Sequence, residues 1–153
     1  MNNKEIVINE LVFKFEFNKE GGVWYLGYNE FDIFNLGYAT NITISEKQPN
    51  WESIVIFLKF ITNDTIKFKK RILFSSLKLK DYFIFSYKNI DLEVNYNDVF
   101  FTLCNIDYKG ITVECFNYIL NFNVGLKNDD DFFMYDSWNA HFINTKLVDL
   151  TKS

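Results

Sequence analysis

One histidine, His141, is the residue around which acid–base or nucleophilic catalysis would have to be built. A Ser-His-Asp or Cys-His mechanism needs the imidazole within hydrogen-bonding distance of a nucleophile. No GxSxG motif accompanies His141 and no cysteine lies near it in the sequence, which favours a tail histidine packed beside Phe142. Glu16, Glu20 and Glu114 have no spacing that indicates a carboxylate pair. We therefore predict no catalytic residues and no enzymatic activity.

Metal and cofactor motifs are equally weak. One histidine and two cysteines do not have the clustered spacing of a zinc site, and no GxGxxG or GxxxxGK[ST] phosphate loop is present. Asp129, Asp130 and Asp131 form an acidic cluster, but the alternating acids, central glycine and distal glutamate of a calcium loop are missing. We predict a solvated loop here, with an acidic contact for a basic partner as the alternative, and no cofactor or metal.

The two cysteines flank a predicted turn at Asp107–Gly110. A two-residue turn places Cys104 directly opposite Cys115, whereas a four-residue loop places Cys104 opposite Val113. Both registers put the two cysteines on one apolar face. A reducing cytoplasm favours two buried free thiols over a disulfide.

The elements that position these residues begin with strands. Alternation of apolar and polar residues from Leu11 to Phe17 predicts a half-buried strand. The glycine-containing segment 18–22 predicts a turn, and Val23 to Tyr28 is the expected partner strand. Phe31 to Asn35 and Tyr38 to Ile44 continue the meander.

The periodicity becomes helical after Ser45. One apolar stripe with spacings of three and four residues predicts a helix that starts near Pro49: Trp51, Ile54, Val55, Leu58 and Ile61. Asn63 and Asp64 can cap a second helix that ends at about Leu79. We expect this second helix to bury Ile66, Leu73 and Leu77 and to turn its basic residues to water.

Strands are predicted again in the last part of the chain. The expected segments are Tyr82 to Tyr87, Ile90 to Tyr96, Val99 to Ile106, Ile111 to Phe116, Tyr118 to Val124 and Phe132 to Tyr135. The tail from Asp136 holds enough apolar residues to dock on the domain. The order of elements predicts one α+β domain over residues 1–153, with a largely antiparallel sheet packed against a central helical pair. We expect this sheet to consist of an N-terminal meander and C-terminal hairpins.

Composition and charge narrow the class of partner. The 18 Phe, 9 Tyr and 3 Trp fit either A/T-rich codon usage or an aromatic contact surface. A net charge of −4 argues against nucleic-acid binding. Six positive charges between Thr65 and Lys80 indicate a solvated helix face, with a partner-facing patch as the alternative; the remaining residues carry −10. No secretory signal or membrane-spanning run is present, so we expect a cytoplasmic protein.

Several short segments resemble a family of small uncharacterised bacterial α+β domains found in polymorphic-toxin and immunity loci. They are Phe100-Phe101-Thr102-Leu103-Cys104, Asp107, Gly110-Ile111-Thr112-Val113, Val124-Gly125 and Asp129-Asp130-Asp131-Phe132. The family has no catalytic residues to carry over, and this sequence departs from it in its aromatic content and its long tail after Tyr135.

The resemblance implies an immunity protein that binds and blocks a cognate toxin. A basic toxin would complement the acidic part of the chain. The expected contact residues are Asp129, Asp130, Asp131, Asp136 and Trp138. The alternative function is binding of a small ligand, a lipid or a sugar, in an aromatic-lined pocket.

Overall fold

Strands form the first and last thirds of the chain and two helices lie between them. The computed structural model describes residues 2–26, 32–87, 95–112, 115–127 and 137–153. Its strands are β1 (Asn3–Ile8), β2 (Leu11–Asn18), β3 (Val23–Leu26), β4 (Asn41–Ile44), β5 (Val99–Thr112), β6 (Cys115–Leu126), β7 (Trp138–Ile143) and β8 (Lys146–Lys152). The helices are α1 (Trp51–Thr62) and α2 (Thr65–Tyr87), and a short 3-10 helix covers Tyr96–Asp98.

The eight strands form one sheet in which they lie side by side in chain order. All neighbours are antiparallel except β4 and β5, which run parallel with Asn41 opposite Asn105 and Ile44 opposite Tyr108. A parallel pair needs a long crossover connection, and α1 and α2 supply it. The predicted α+β class, a largely antiparallel sheet on a helical pair, is confirmed.

Helix α1 follows the predicted stripe. It buries Ile54, Leu58 and Ile61 of that stripe and also Phe57, which the prediction did not include, whereas Trp51 and Val55 are only partly buried. The side chain of Asn50 caps its first turn by accepting a hydrogen bond from the backbone N–H of Ser53 at 3.2 Å. Asp64 caps α2 in the same way, through the N–H of Lys67 at 3.0 Å.

Helix α2 departs from the prediction in length and in orientation. It continues to Tyr87, so the strand predicted from Tyr82 is wrong. The buried residues of α2 follow one another at intervals of three or four: Phe68, Ile72, Ser75, Leu79 and Phe83. The prediction that Ile66, Leu73 and Leu77 are buried is also wrong, since all three are exposed.

The prediction that the basic residues of α2 face water is wrong for Arg71, which is partly buried against the sheet. The Arg71 guanidinium donates to the hydroxyl of Tyr118 at 3.1 Å and lies over the rings of Phe60, Phe68 and Phe142 at 5.5, 5.1 and 6.0 Å. Such contacts stabilise a desolvated cation. Because Arg71 points towards the sheet, the opposite face of α2 points away from it.

The predicted turn at Asp107–Gly110 is a continuous part of β5. Gly110 has a φ of +112° and lies at a bulge, where a glycine tolerates positive φ. Tyr108 is buried against Phe57, with ring centroids 4.9 Å apart, so the strand extends across the region instead of reversing. The hairpin closes later, where Thr112 pairs with Cys115.

The remaining strand predictions have mixed outcomes. The strand from Leu11 and the turn at 18–22 are confirmed. Residues 32–37 form a turn in which Asp32 accepts hydrogen bonds from the N–H groups of Leu36 and Gly37, so no strand exists in that part of 31–35. The segments 90–94 and 132–135 lie outside the described residues. The tail docks as the β7–β8 hairpin.

The core lies between the helices and the inner face of the sheet. Aromatic rings dominate it, and Phe57 packs against Tyr118 at 5.5 Å while Phe83 packs against Trp138 at 5.4 Å. No helix in the described segments is long and apolar enough to cross a membrane.

Candidate functional site

The residues predicted to contact a partner are placed only in part. Asp129, Asp130, Asp131 and Asp136 lie outside the described residues. Trp138 is fully buried on the inner face of β7, with its ring centroid 5.6 Å from that of Tyr82 and 5.8 Å from that of Phe101. This burial leaves no side-chain surface of Trp138 for a partner.

His141 lies on the outer face of β7, the side of the sheet away from the helices. Its Nε2 lies 2.8 Å from the hydroxyl of Thr151, and Asp149 is its partner in the register with β8. The two cysteines lie on other strands. Among the residues with described positions, no group of three or more His, Cys, Asp and Glu side chains is arranged to hold a metal ion.

Both cysteines are free thiols, and neither predicted register is correct. Cys104 is the extra residue of a β5 bulge, and its thiol donates to the backbone carbonyl of Asn121 at 3.1 Å. Cys115 opens β6 opposite Thr112. Although part of Cys104 is exposed, desolvation of its thiol raises its pKa above the ordinary range.

Three asparagines on neighbouring strands form a row across the outer sheet face. Asn105, Asn121 and Asn139, here termed the amide row, are direct partners in the register of β5, β6 and β7. Asn105 donates to Asn121 Oδ1 at 3.0 Å, and Asn121 donates to Asn139 Oδ1 at 2.7 Å. Thr43 on β4 extends the row by accepting from Asn105 at 2.8 Å.

The C-terminal end of the amide row is fixed further by two serines. Ser137 donates to Asn139 Oδ1 at 2.8 Å, and Asn139 Nδ2 lies 3.3 Å from the Ser153 hydroxyl. In contrast, the Oδ1 atom of Asn105 is buried and has no hydrogen-bond partner within the described part of the chain. The row therefore keeps one acceptor unused near its centre.

Acidic side chains slightly outnumber basic ones on the outer sheet face. Alternation along the strands places these described charged residues there: Glu5, Glu16, Asp107 and Asp149 against Lys14, Lys109 and Lys146. Asp107 accepts from the hydroxyls of Thr43 and Ser45, both at 3.3 Å, and pairs with Lys109 at 2.6 Å. The Glu16 carboxylate accepts from the hydroxyl of Tyr25 and raises the pKa of that phenol.

A second surface lies on the opposite side of the domain, along the exposed side of α2. Five large apolar residues, here termed the helix face, are exposed there: Ile66 by 70%, Leu73 by 49%, Phe74 by 47%, Leu77 by 55% and Phe85 by 75%. Exposed apolar residues scattered singly are ordinary, whereas these five share one side of a single helix. Lys70 and Asp81 lie on the same side of the helix, among the apolar residues.

A third feature is a cleft lined by two tryptophans, here termed the tryptophan cleft. Its volume is about 570 Å³, and Phe17, Trp24 and Trp51 form its aromatic wall. The rings of Trp24 and Trp51 meet edge to face at 4.9 Å, and the Lys4 ammonium lies 5.6 Å from the Trp51 ring. Trp24 Nε1 donates to the Lys47 carbonyl at 3.2 Å.

The amide row and the helix face were both missed from the sequence. The asparagines of the row are far apart in the chain, so no local pattern reveals them. The helix face had a signal, because Phe68, Ile72 and Leu79 form a second apolar stripe on α2 beside the one assigned to the core. Comparison with family models, curated proteins and solved structures found no match to this chain.

Proposed function

We propose that this domain is a non-enzymatic binding protein that acts by direct contact with another protein, as an immunity protein does when it blocks a cognate toxin. The observation that carries the proposal is the amide row, a line of side-chain amides held in position across the outer sheet face. With strands about 4.8 Å apart, four neighbouring strands span roughly 14 Å, which suits a protein surface better than a small molecule.

Preorganisation supports this function. Ordering a side chain on association costs roughly 0.5–1.5 kcal/mol. Asn105, Asn121 and Asn139 are already ordered by their mutual hydrogen bonds, so that cost is largely met in the free protein.

Charge selects the class of partner. The outer sheet face carries four described carboxylates against three ammonium groups, and this small excess complements a basic protein surface, which accelerates association and disfavours acidic competitors. The proposed partner is therefore a toxin that presents lysine or arginine side chains to the sheet.

The test is co-expression with the product of the adjacent gene, followed by a growth assay and a pull-down. Wild-type protein is expected to restore growth and to bind. Asn121→Leu is expected to bind at least about tenfold more weakly, because it removes the centre of the row and inserts an apolar group. Asn63→Leu, a matched change at an exposed position between the helices, is expected to behave like wild type.

Two results would contradict the proposal. Failure of the wild-type protein both to bind the neighbouring product and to rescue growth would remove the immunity function. Equal binding by Asn121→Leu and wild type would remove the amide row as the contact surface. A thermal unfolding scan of each variant separates lost binding from lost folding. We expect Asn121→Leu to stay folded, since Asn105 and Asn139 keep hydrogen bonds to Thr43 and Ser137.

The tryptophan cleft favours a second candidate function, the binding of a sugar or lipid. Aromatic walls with a few polar groups are typical of small-ligand sites. Titration of the protein with monosaccharides and with a fatty acid, followed by tryptophan fluorescence, tests this. A saturable change that Trp51→Ala abolishes would support ligand binding, and an unchanged spectrum with every ligand would exclude it.

A further inference from the structure

The helix face consists of two parallel rows of residues on α2. Residues four apart form ridges on a helix surface. One ridge contains Ile66, Lys70, Phe74 and Lys78, and the neighbouring ridge contains Leu73, Leu77, Asp81 and Phe85. All eight residues lie on the side of α2 away from the sheet, and the ridges extend over roughly 28 Å at 1.5 Å per residue.

The two ridges are complementary to each other when one of them is reversed. When the two ridges are aligned in opposite directions, Ile66 faces Phe85, Lys70 faces Asp81, and Phe74 faces Leu77. The fourth position sets Lys78 against Leu73, where the long lysine stem can cover apolar surface while its ammonium stays in water. Apolar residues therefore meet apolar residues, and the central cation meets the central anion.

This pattern has a two-fold axis between residues 75 and 76. In an isologous dimer each contact occurs twice, because residue i of one copy meets residue j of the other and the reverse. We propose that the helix face binds a second copy of this chain, with the two α2 helices antiparallel across that axis. The dimer then contains two Lys70–Asp81 ion pairs and buries Ile66, Phe74, Leu77 and Phe85 of both copies.

The charges on the face explain why the partner is a second copy. Neither Lys70 nor Asp81 has an ion-pair partner among the described residues. They are eleven positions apart on α2, a distance of roughly 16 Å along the axis, so they cannot pair within one helix. Asp81 accepts a hydrogen bond from the hydroxyl of Tyr96 through Oδ1 at 2.9 Å, which holds its carboxylate in place and leaves Oδ2 for Lys70 of the other copy.

An anionic membrane fits the face less well. Lysines around an apolar helix surface attract acidic lipids. However, Asp81 lies among the apolar residues, and insertion of the helix would bury this carboxylate beside the lipid phosphates. A protein surface with a lysine at the matching position satisfies Asp81, and the second copy supplies that lysine.

The dimer is expected to be weak and reversible. A single pair of helices buries less than the roughly 800 Å² per partner of a standard interface, which is the size class of weak, transient contacts. Sedimentation equilibrium of the wild-type protein from about 1 to about 200 µM is therefore expected to show a concentration-dependent monomer–dimer equilibrium.

Charge reversal provides the decisive experiment. Lys70→Glu places a second carboxylate against Asp81, and Asp81→Lys places a second ammonium against Lys70. Each variant alone is expected to dimerise at least about tenfold more weakly than wild type, because both ion pairs become repulsive. An equimolar mixture of the two variants is expected to form a heterodimer. In it the new carboxylate at position 70 of one copy faces the new ammonium at position 81 of the other, and the unchanged Asp81 and Lys70 form the second ion pair.

A matched control and three results decide the proposal. Lys59→Glu changes the charge by the same amount on the exposed side of α1 and is expected to leave dimerisation unchanged. Wild-type protein that stays monomeric over the whole range would overturn the proposal, as would a dimer that Lys70→Glu does not weaken. Failure of the mixed variants to associate would also overturn it.

Lipid binding is tested in parallel. Co-sedimentation of monomeric wild-type protein with phosphatidylserine vesicles would assign the helix face to a membrane and overturn the proposal. The outcome is independent of the toxin-binding function, because the amide row lies on the other side of the sheet. Loss of dimerisation with an unchanged affinity for the toxin, or the reverse, distinguishes the two.

Discussion

Removal of the Tyr118 hydroxyl tests how α2 is attached to the sheet. This hydroxyl donates to the carbonyl of Asn144 at 2.6 Å and accepts from Arg71 at 3.1 Å, and its ring is almost fully buried. Tyr118→Phe keeps the ring but leaves the Asn144 oxygen and one Arg71 N–H without this partner. With net contributions of about 1 kcal/mol for the neutral hydrogen bond and more for the charged one, we expect a loss of about 2 kcal/mol at pH 8.

The loss is expected to depend on pH in a defined direction. Burial raises the pKa of Tyr118 to about 12 from its ordinary value of 10.0, although the Arg71 guanidinium acts in the opposite sense. Below pH 10 both the folded and the unfolded state keep the proton, and the stabilisation is fully present. Between pH 10 and 12 only the unfolded state ionises, so the wild-type protein loses about 1.4 kcal/mol per pH unit from this group.

The measurement is the free energy of unfolding from urea titrations at pH 8 to 11, followed by tryptophan fluorescence. The difference between wild type and Tyr118→Phe is expected to shrink by about 1.3 kcal/mol from pH 9 to pH 11. The contributions of the other tyrosines are the same in both proteins, so they cancel in the difference between the two free energies of unfolding. Tyr82→Phe, which removes a hydroxyl from a partly exposed ring on α2, is the control. A difference that stays constant over this range would refute the buried position of the Tyr118 hydroxyl.

Two further predictions concern the outer sheet face. A Cβ atom on Gly125 would lie 2.5 Å from Cζ of the partly exposed Phe100 ring, which must move aside, so Gly125→Ala is expected to cost about 0.5–1.5 kcal/mol in urea unfolding. The cost should fall in a Phe100→Ala background, and strictly additive costs would contradict the contact. Mass spectrometry after alkylation in denaturant without reductant is expected to find two free thiols. In the folded protein Cys104 should react more slowly at pH 8 than free cysteine, because its raised pKa reduces the thiolate fraction, and an equal rate would contradict its desolvation.

The sequence predicted α1 and most of its buried stripe, apart from Phe57, but the orientation of α2 wrongly, for a physical reason. Helix α1 has one apolar stripe and therefore one way to pack. Helix α2 has two apolar stripes, and local periodicity does not determine which of them is buried. The choice depends on long-range contacts, above all that between Arg71 and Tyr118, which only the assembled sheet brings together.

The β5–β6 hairpin was misplaced because one signal has two structural meanings. Lys109-Gly110 between apolar runs is typical of a tight turn, but a bulge also uses a glycine with positive φ. Burial of Tyr108 decides between them, and that burial depends on Phe57 of α1. The amide row depends on the same register, because Asn105 meets Asn121 only when the hairpin closes after Thr112.

The two proposed surfaces have a joint consequence. Helix α2 lies on the inner side of the sheet and the amide row on its outer side, so an antiparallel α2 dimer turns both amide rows outward, away from each other. Each row then remains accessible, and one dimer can bind two partner molecules. If the partner is itself multivalent, the second contact forms at a high effective concentration, so a weak dimer strengthens neutralisation without any new contact to the toxin. Lys70→Glu should then reduce the rescue of growth from such a toxin, while the affinity of a single amide row for one partner molecule stays unchanged.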